Sequence, residues 1–286
     1  MLLQIVINGI LKGGLYALMA LGMSLIWGVM DIINIAHGAF IMLGAYCTYW
    51  LFTWLGIDPF ISLFISIAVL FVIGYAVQRY LINLVIRATI FITLILAFGI
   101  EIFINNLALV MWTANVRKVQ VPYGASNFSI GSFVTIPYVR LAAFLIALII
   151  AGIFYFILNK TRLGRSIRAT SQDLDAARLV GVDVAKTYAF TFGLGVGAAG
   201  AAGTLWAVLF PINPMMGGVL TLKSFVVVIL GGLGTMFGPI VGGLTLGVAE
   251  ALGTNWFGAT YENFISFTIL VLVLIFLPKG ILGKRE

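Results

Sequence analysis

Eight apolar stretches, at roughly 4–28, 33–55, 60–77, 89–112, 139–158, 187–210, 223–250 and 263–277, fill most of the 286-residue chain. A helix rises ~1.5 Å per residue, so about twenty residues cross ~30 Å of hydrocarbon, and most of these stretches are long enough to do so. Only 9% of the residues are charged, against about a quarter in soluble proteins, which leaves too little polar surface to face water. The sequence therefore predicts an all-α integral membrane protein, a polytopic helical bundle forming one transmembrane domain over residues 1–286. The start Met1-Leu2-Leu3-Gln4 lacks a basic n-region, so the first stretch is expected to stay in the membrane.

The net charge is +7, but the basic residues sit in short gaps between apolar runs, the pattern that orients a chain in a bilayer. Lipid, not nucleic acid, is the partner this implies. The loop 159–186 carries Lys160, Arg162, Arg165, Arg168, Arg178 and Lys186, and the tail adds Lys279, Lys284 and Arg285. With Arg79 and Arg87 of the 78–88 gap, these are expected in the cytoplasm, and the C-terminus with them. The 113–137 gap, with Pro122, Gly124, Gly131 and Pro137 among alternating Val119, Val121, Phe133 and Ile136, reads as an external loop holding a short hairpin. Cys47 is the single cysteine and His37 the single histidine, so neither a disulfide framework nor a metal site is expected.

Parity constrains the C-terminal half. If 187–210 leads out and 263–277 brings the tail back, 223–250 cannot be one crossing and must re-enter. Gly231, Gly232, Gly234 and Gly238 supply the helix-breaking residues, and Pro239 suits the first turn of a new helix. In the N-terminal half Asp31, Asn34 and His37, beside Gly38, interrupt apolar sequence in the same way. A break at membrane depth survives only where protein or a water-filled cavity covers it, so both breaks are candidate substrate pathway. The alternative is an ordinary turn capped by Asp31 or Asn34. The string Ile33-Asn34-Ile35-Ala36-His37-Gly38 resembles Ile212-Asn213-Pro214-Met215-Met216-Gly217, which hints at an internal repeat.

Glu101 lies deep in its stretch, and intramembrane carboxylates are functional candidates by default. Glu250 reads as structural and Lys223 as an interfacial anchor that snorkels. Gly193, Gly197, Gly200 and Ala201 give small-residue spacing suited to a helix packed inside the bundle. In the basic loop, Thr170-x-x-Asp173 resembles a capping box for a short surface helix with Leu174, Ala177 and Gly181 on one face, a docking element or a merely solvated loop.

Four ordered motifs span nearly the whole chain. They are Gly14-Leu15-Tyr16-Ala17-Leu18-x-Ala20-x-Gly22; Ile33-Asn34-Ile35-Ala36-His37-Gly38-Ala39-Phe40-x-Met42-x-Gly44-Ala45; Thr161-x-x-Gly164-Arg165-x-Ile167-Arg168-Ala169; and Leu230-Gly231-Gly232-Leu233-Gly234 with Gly238. The chain resembles the branched-chain amino-acid ABC permease family, LivH/LivM type, and its short length looks like the H-type subunit. The family's Glu-Ala-Ala-x-x-x-Gly stands here as Asp175-Ala176-Ala177-Arg178-Leu179-Val180-Gly181, with Asp in place of Glu.

The resemblance implies a bacterial inner-membrane permease subunit that imports branched-chain or other hydrophobic amino acids by ATP-driven alternating access. Its implied partners are two ABC ATPase subunits, docked on a coupling loop around Gly164, Arg165, Arg168 and Asp175 to Gly181, a second, M-type permease, and an extracytoplasmic binding protein that delivers a small amino acid. The chain has no Gly-x4-Gly-Lys-Ser/Thr loop, so ATP is expected on the partner subunits, with no cofactor bound and no enzymatic step here. The competing reading is a standalone secondary transporter or channel for small neutral solutes such as amino acids, urea or amides, with Glu101 and His37 relaying protons.

Overall fold

The computed structural model describes residues 2–86, 88–130, 134–235 and 237–283; Arg87, Gly131, Phe133, Lys284 and Arg285, named above, lie outside these described residues. Helix α1 (Leu2–Met30) is followed by α2 (His37–Leu55) and α3 (Pro59–Val77), the last continuing through a π turn, Gln78–Ile82, into α4 (Asn83–Val85). Next come α5 (Ile90–Trp112), an antiparallel hairpin of β1 (Asn127–Ile130) and β2 (Val134–Pro137), and α6 (Tyr138–Lys160). The second half holds α7 (Arg162–Gln172), α8 (Leu174–Leu179), α9 (Val184–Leu209), α10 (Met216–Gly231), α11 (Gly238–Phe257) and α12 (Glu262–Phe276). Among the described residues seven helices are long and apolar enough to cross a membrane, and the chain is a multi-pass membrane protein.

Local chemistry sets the helix ends. Asp58 Oδ1 accepts the Phe60 N–H at 2.8 Å and Pro59 opens α3, while α2 closes on Gly56 at φ +65°. The bundle has two distinct ends. At the hairpin end, Gln4 Nε2 donates to the Thr135 carbonyl at 2.8 Å and the Tyr123 hydroxyl donates to Asp58 Oδ2 at 2.7 Å, so the start of α1, the start of α3 and the 113–137 loop sit together. At the opposite, basic end, Met30, Asn83, Leu174 and Val184 line one groove, which gathers the ends of α1 and α4 with α8 and the start of α9.

The two halves of the chain repeat one another upside down. α1 runs from the hairpin end to the basic end, and α9 runs back. Each is followed by a short extended segment that turns into the bundle, 31–36 after α1 and 210–215 after α9. Each segment then opens a helix at mid-depth, with α2 climbing to the hairpin end and α10 descending to the basic end. In both segments an asparagine carbonyl starts the new helix: Asn34 accepts the His37 N–H and Asn213 accepts the Met216 N–H, each at 3.2 Å. The two similar strings in the sequence are these two breaks, related as inverted-topology repeats are in many transporters.

Glycine lets the helices close. Gly9 and Gly13 of α1 lie on Gly247 and Gly243 of α11, antiparallel, and a Cβ on Gly13 would stand 2.7 Å from the Gly243 carbonyl oxygen. The pseudo-equivalent pair is α3 with α9, where a Cβ on Gly200 would stand 2.9 Å from Leu70 Cβ and Gly193 sits against Phe71. Gly193, Gly197, Gly200 and Ala201 thus pack α9 inside the bundle. α1 is equally enclosed, whereas α5, α6 and α12 keep most of their surface outward.

The C-terminal break differs from the sequence expectation in place. The mid-depth interruption is 210–215, covered from the hairpin end by Arg117, whose N–H and carbonyl pair with those of Ile212 at 2.9 and 2.8 Å. The glycines at 231–238 form instead a tight turn at the basic end, with Gly232 at φ +105° and Gly234 at φ +72°. The tail seals it, as the Ile281 N–H donates to the Leu230 carbonyl at 2.8 Å. Pro214 and the extended backbone of 210–215, rather than glycine, make the deep break, which lets α10 and α11 run sixteen and twenty residues.

Replacing Gly13 by alanine is expected to cost about 1–3 kcal/mol through overpacking, seen as a lower thermal midpoint of the detergent-solubilised protein. Gly152→Ala, where a Cβ meets nothing within 4 Å, is the matched control and is expected to be neutral or slightly stabilising.

Candidate functional site

The starts of α2 and α10 face each other at mid-depth. The Gly38 N–H donates to Thr221 Oγ1 at 2.8 Å, and the Thr221 hydroxyl donates to the Ile35 carbonyl at 2.9 Å. A Cβ on Gly38 would fall on the Gly217 carbonyl, so the junction demands glycine there. His37 is fully buried, with Nε2 2.8 Å from the Met19 carbonyl oxygen. A carbonyl only accepts, so Nε2 carries the proton, and Nδ1 has no partner among the described residues. The ring packs against the middle of α1, where Gly22 also meets Gly195 of α9.

α10 is capped by Asn213, whose Oδ1 accepts the Met215 N–H at 2.9 Å. The Gly217 and Gly218 amides beyond it have no acceptor among the described residues. Helix α5 comes near this start and presents Glu101, only 8% exposed and without a hydrogen bond or ion pair among the described residues. A Cβ on Gly218 would meet one atom alone, Glu101 Oε1 at 3.6 Å. One turn further along α5, Asn105 Oδ1 is buried without a partner among the described residues, 3.3 Å from where a Cβ on Gly217 would stand. The side-chain nitrogen of Asn34 is also buried and has no partner among the described residues. The junction thus concentrates unmet polar groups of both signs inside the hydrocarbon-embedded part of the bundle.

Of the candidate residues, the structure brings Gly38 to this junction, with His37 behind it and Glu101 beside α10. It sets Asp31 apart, exposed at the basic end of α1 at φ +51° and closing that helix with its N–H on the Trp27 carbonyl. Gly234 lies instead against Gly28, on the wall of a cavity of about 620 Å³ at the basic end that Ser24, Thr235, Arg168 and Ser171 also line. Asn105, Gly217 and Gly218 were not foreseen. The four-residue step from Glu101 to Asn105 places both on one helix face and is the signal that marks the pair.

A second polar cluster joins α10 to α1, α11 and α12. Lys223 is 2% exposed and is not an interfacial anchor. Its Nζ meets Glu250 Oε1 at 3.1 Å and the Tyr16 hydroxyl at 2.9 Å, and it also pairs with Glu262. Lys12 closes the ring, 2.9 Å from Glu250 and 2.9 Å from Glu262. The Tyr16 hydroxyl donates to Glu250 at 2.6 Å, and Ser266 donates to Glu250 as well. Two cations and two carboxylates from α1, α10, α11 and α12 balance, as Glu250's reading as structural requires. Sequence separations of up to 250 residues between the partners hid the set.

The basic end is built from two helices, not one. Thr161 Oγ1 accepts the Gly164 N–H at 3.1 Å and caps α7, while a Cβ on Gly164 would collide with the Leu158 carbonyl, to which Arg168 donates. Thr170 belongs to the end of α7; Asp173 caps α8, accepting the Asp175 and Ala176 N–H groups at 2.9 Å. α8 ends at Gly181, φ +84°. Arg165 is exposed, as are Ala176, Asp175 and Arg178, the last two paired at 3.0 Å. Ala177 is 2% exposed and faces the bundle, so the outward apolar surface is Leu179 at 90% and Val180 at 77%. Asp183 caps α9, and the Lys186 backbone N–H it accepts holds its carboxyl below the usual carboxylate range.

A bundle of two inverted halves, whose half-depth helices leave unpaired polar groups in the membrane, defines a polytopic membrane permease. The family described as branched-chain amino acid transport system / permease component matches residues 5–274, and the chain belongs to it. It is 36% identical to the high-affinity branched-chain amino acid transport system permease protein BraD of Pseudomonas aeruginosa, over 99% of this chain and 96% of that protein. It is 34% identical to the permease protein LivH of Salmonella typhimurium over the same shares, and 24% identical to LivM of that organism over 94% of this chain and 68% of LivM. No solved structure matches.

Removing one member of the buried ring leaves charge unbalanced, so Lys223→Met is expected to destabilise the protein by about 3–5 kcal/mol. Adding Glu262→Gln restores neutrality and is expected to recover part of that loss; equal thermal midpoints for the single and double variants would rule the charge balance out.

Proposed function

We propose that this chain is the transmembrane permease subunit of a bacterial ABC importer that carries branched-chain or other hydrophobic amino acids across the inner membrane by alternating access. The observation that carries the reading is the end-to-end likeness to BraD and LivH, permeases of branched-chain amino acid transport systems. The junction of α2 and α10 adds a mid-depth polar site of the kind a small zwitterion needs on its way across.

The concentration of Lys and Arg at the basic end supports a cytoplasmic location for α7, α8 and the C-terminus, with the 113–137 loop outside to meet a binding protein. The likeness to LivM, in the organism that also has LivH, supports an M-type permease as second transmembrane subunit. Two such subunits would present two α8 tips, each with Leu179 and Val180 exposed among charges, to two ATPase subunits, a helix-in-groove contact. Gly164 and Arg168 would hold that loop on the end of α6. ATP would be bound and hydrolysed by those partners, with no cofactor or metal on this chain.

Co-reconstitution with its ATPases, second permease and binding protein is expected to give ATP-dependent uptake of leucine, isoleucine and valine, with alanine and urea measured alongside. Uptake by the purified chain alone under a proton gradient would replace this reading with a secondary transporter. Leu179→Asp with Val180→Asp is expected to lower uptake at least about tenfold by weakening ATPase docking, with membrane insertion unchanged.

A further inference from the structure

We infer that Glu101 and the open first turn of α10 form a recognition site for the charged backbone of a free amino acid, Glu101 receiving the α-ammonium group and the Gly217 and Gly218 amides the α-carboxylate. The inference deepens the proposed function and rests on it.

The two carboxylates buried in the bundle are treated oppositely. Glu250 is saturated by Lys12, Lys223, Tyr16 and Ser266, whereas Glu101, just as deep in its helix, has no cation or donor among the described residues. Membrane-embedded charges face a partner or a pathway, and this one faces the start of α10. That start carries the complementary half of a zwitterion site, because two free amides and the positive end of a sixteen-residue helix favour an anion. The two halves adjoin, since a Cβ on Gly218 would stand in van der Waals contact with Glu101 Oε1 at 3.6 Å and meet no other atom. Asn105 Oδ1, buried and unpartnered beside Gly217, can accept a second ammonium N–H.

The rest of the surface suits what remains of such a substrate. Met215, Val219 and Leu222 are exposed and, at helical spacing, share a face with Gly218, giving an apolar strip for an aliphatic side chain. Urea and simple amides carry neither charge, so the site selects free α-amino acids over them.

Leucine uptake by the complete importer in proteoliposomes tests the assignment, with co-purification of the partner subunits as the measure of assembly. If the wild-type importer takes up no leucine, the permease reading fails and the site falls with it. If it does, Glu101→Gln is expected to lower uptake at least about tenfold with assembly intact, and Glu101→Asp to recover part of it. Gly218→Val, which fills the space without meeting other atoms at its Cβ, is expected to lower uptake similarly. Wild-type uptake by Glu101→Gln overturns the site while leaving the permease assignment standing. Should Glu101→Gln not assemble, Gly218→Val decides alone, and unchanged uptake overturns the site.

Discussion

Where Gly38 and Gly217 meet, two helix starts pack against each other in the middle of the bundle, and a helix start leaves several amides without partners inside its own turns. In hydrocarbon each unsatisfied group costs several kcal/mol, roughly, so such a junction persists only if other chain segments supply acceptors or shut lipid out. Thr221 supplies one acceptor to Gly38 and ties α10 to the segment before α2 through Ile35. Arg117, reaching in from the 113–126 segment, satisfies the backbone of Ile212. The enclosing walls are α1 and α9, held close by glycine on both sides, and this is why two long helices of an apolar protein are buried inside it while α5, α6 and α12 face outward.

The inverted halves are not chemically equal. Equating Gly38 with Gly217 places Gly44 of α2 opposite Lys223 of α10. Gly44 packs on Gly200 by backbone contact alone, whereas Lys223 enters a ring of four charges joining α10 to α1, α11 and α12. The N-terminal half-helix is therefore fixed by close packing and the C-terminal one by ion pairs, which are directional and depend on every partner staying in place. The ring binds α1, α10, α11 and α12 into one unit.

Membrane class, the repeat and the enclosed α9 are legible because they follow from hydropathy, a repeated string and small-residue spacing along the chain. The deep C-terminal break was not placed correctly, since glycine content drew it to 231–238. Turn glycines mark positive φ, and a chain needs that at a tight end turn more than in an extended descent such as 210–215. The repeated string around Asn213 held the right answer, with Asn and the following helix start at the same spacing as around Asn34. Lys223 was misread for a different reason. Its partners Lys12, Tyr16, Glu250 and Glu262 come from other helices, and no local pattern records a contact made by tertiary packing. Periodicity sets Ala177 on one face with Leu174 and Gly181, and the resemblance places it in the docking loop, but α8 is short enough that its packing on α9, not its own stripe, decides which side is outward.

Glu101 shows how the two deep polar sites differ in what they can do. A carboxylate surrounded by two ammonium groups and two hydroxyls has nothing left to offer a ligand, and its value is structural. A carboxylate held against an open helix start keeps its desolvation cost in the empty state and is relieved when a cation arrives, so binding is favoured by a group the bundle itself withholds. The same logic applies to the Gly217 and Gly218 amides, whose natural occupant is an anion. One small molecule carrying both charges a few bonds apart relieves both ends together, which neither a lone proton nor a neutral solute does. The inferred site would thus discriminate by leaving two opposite needs unmet at adjacent points.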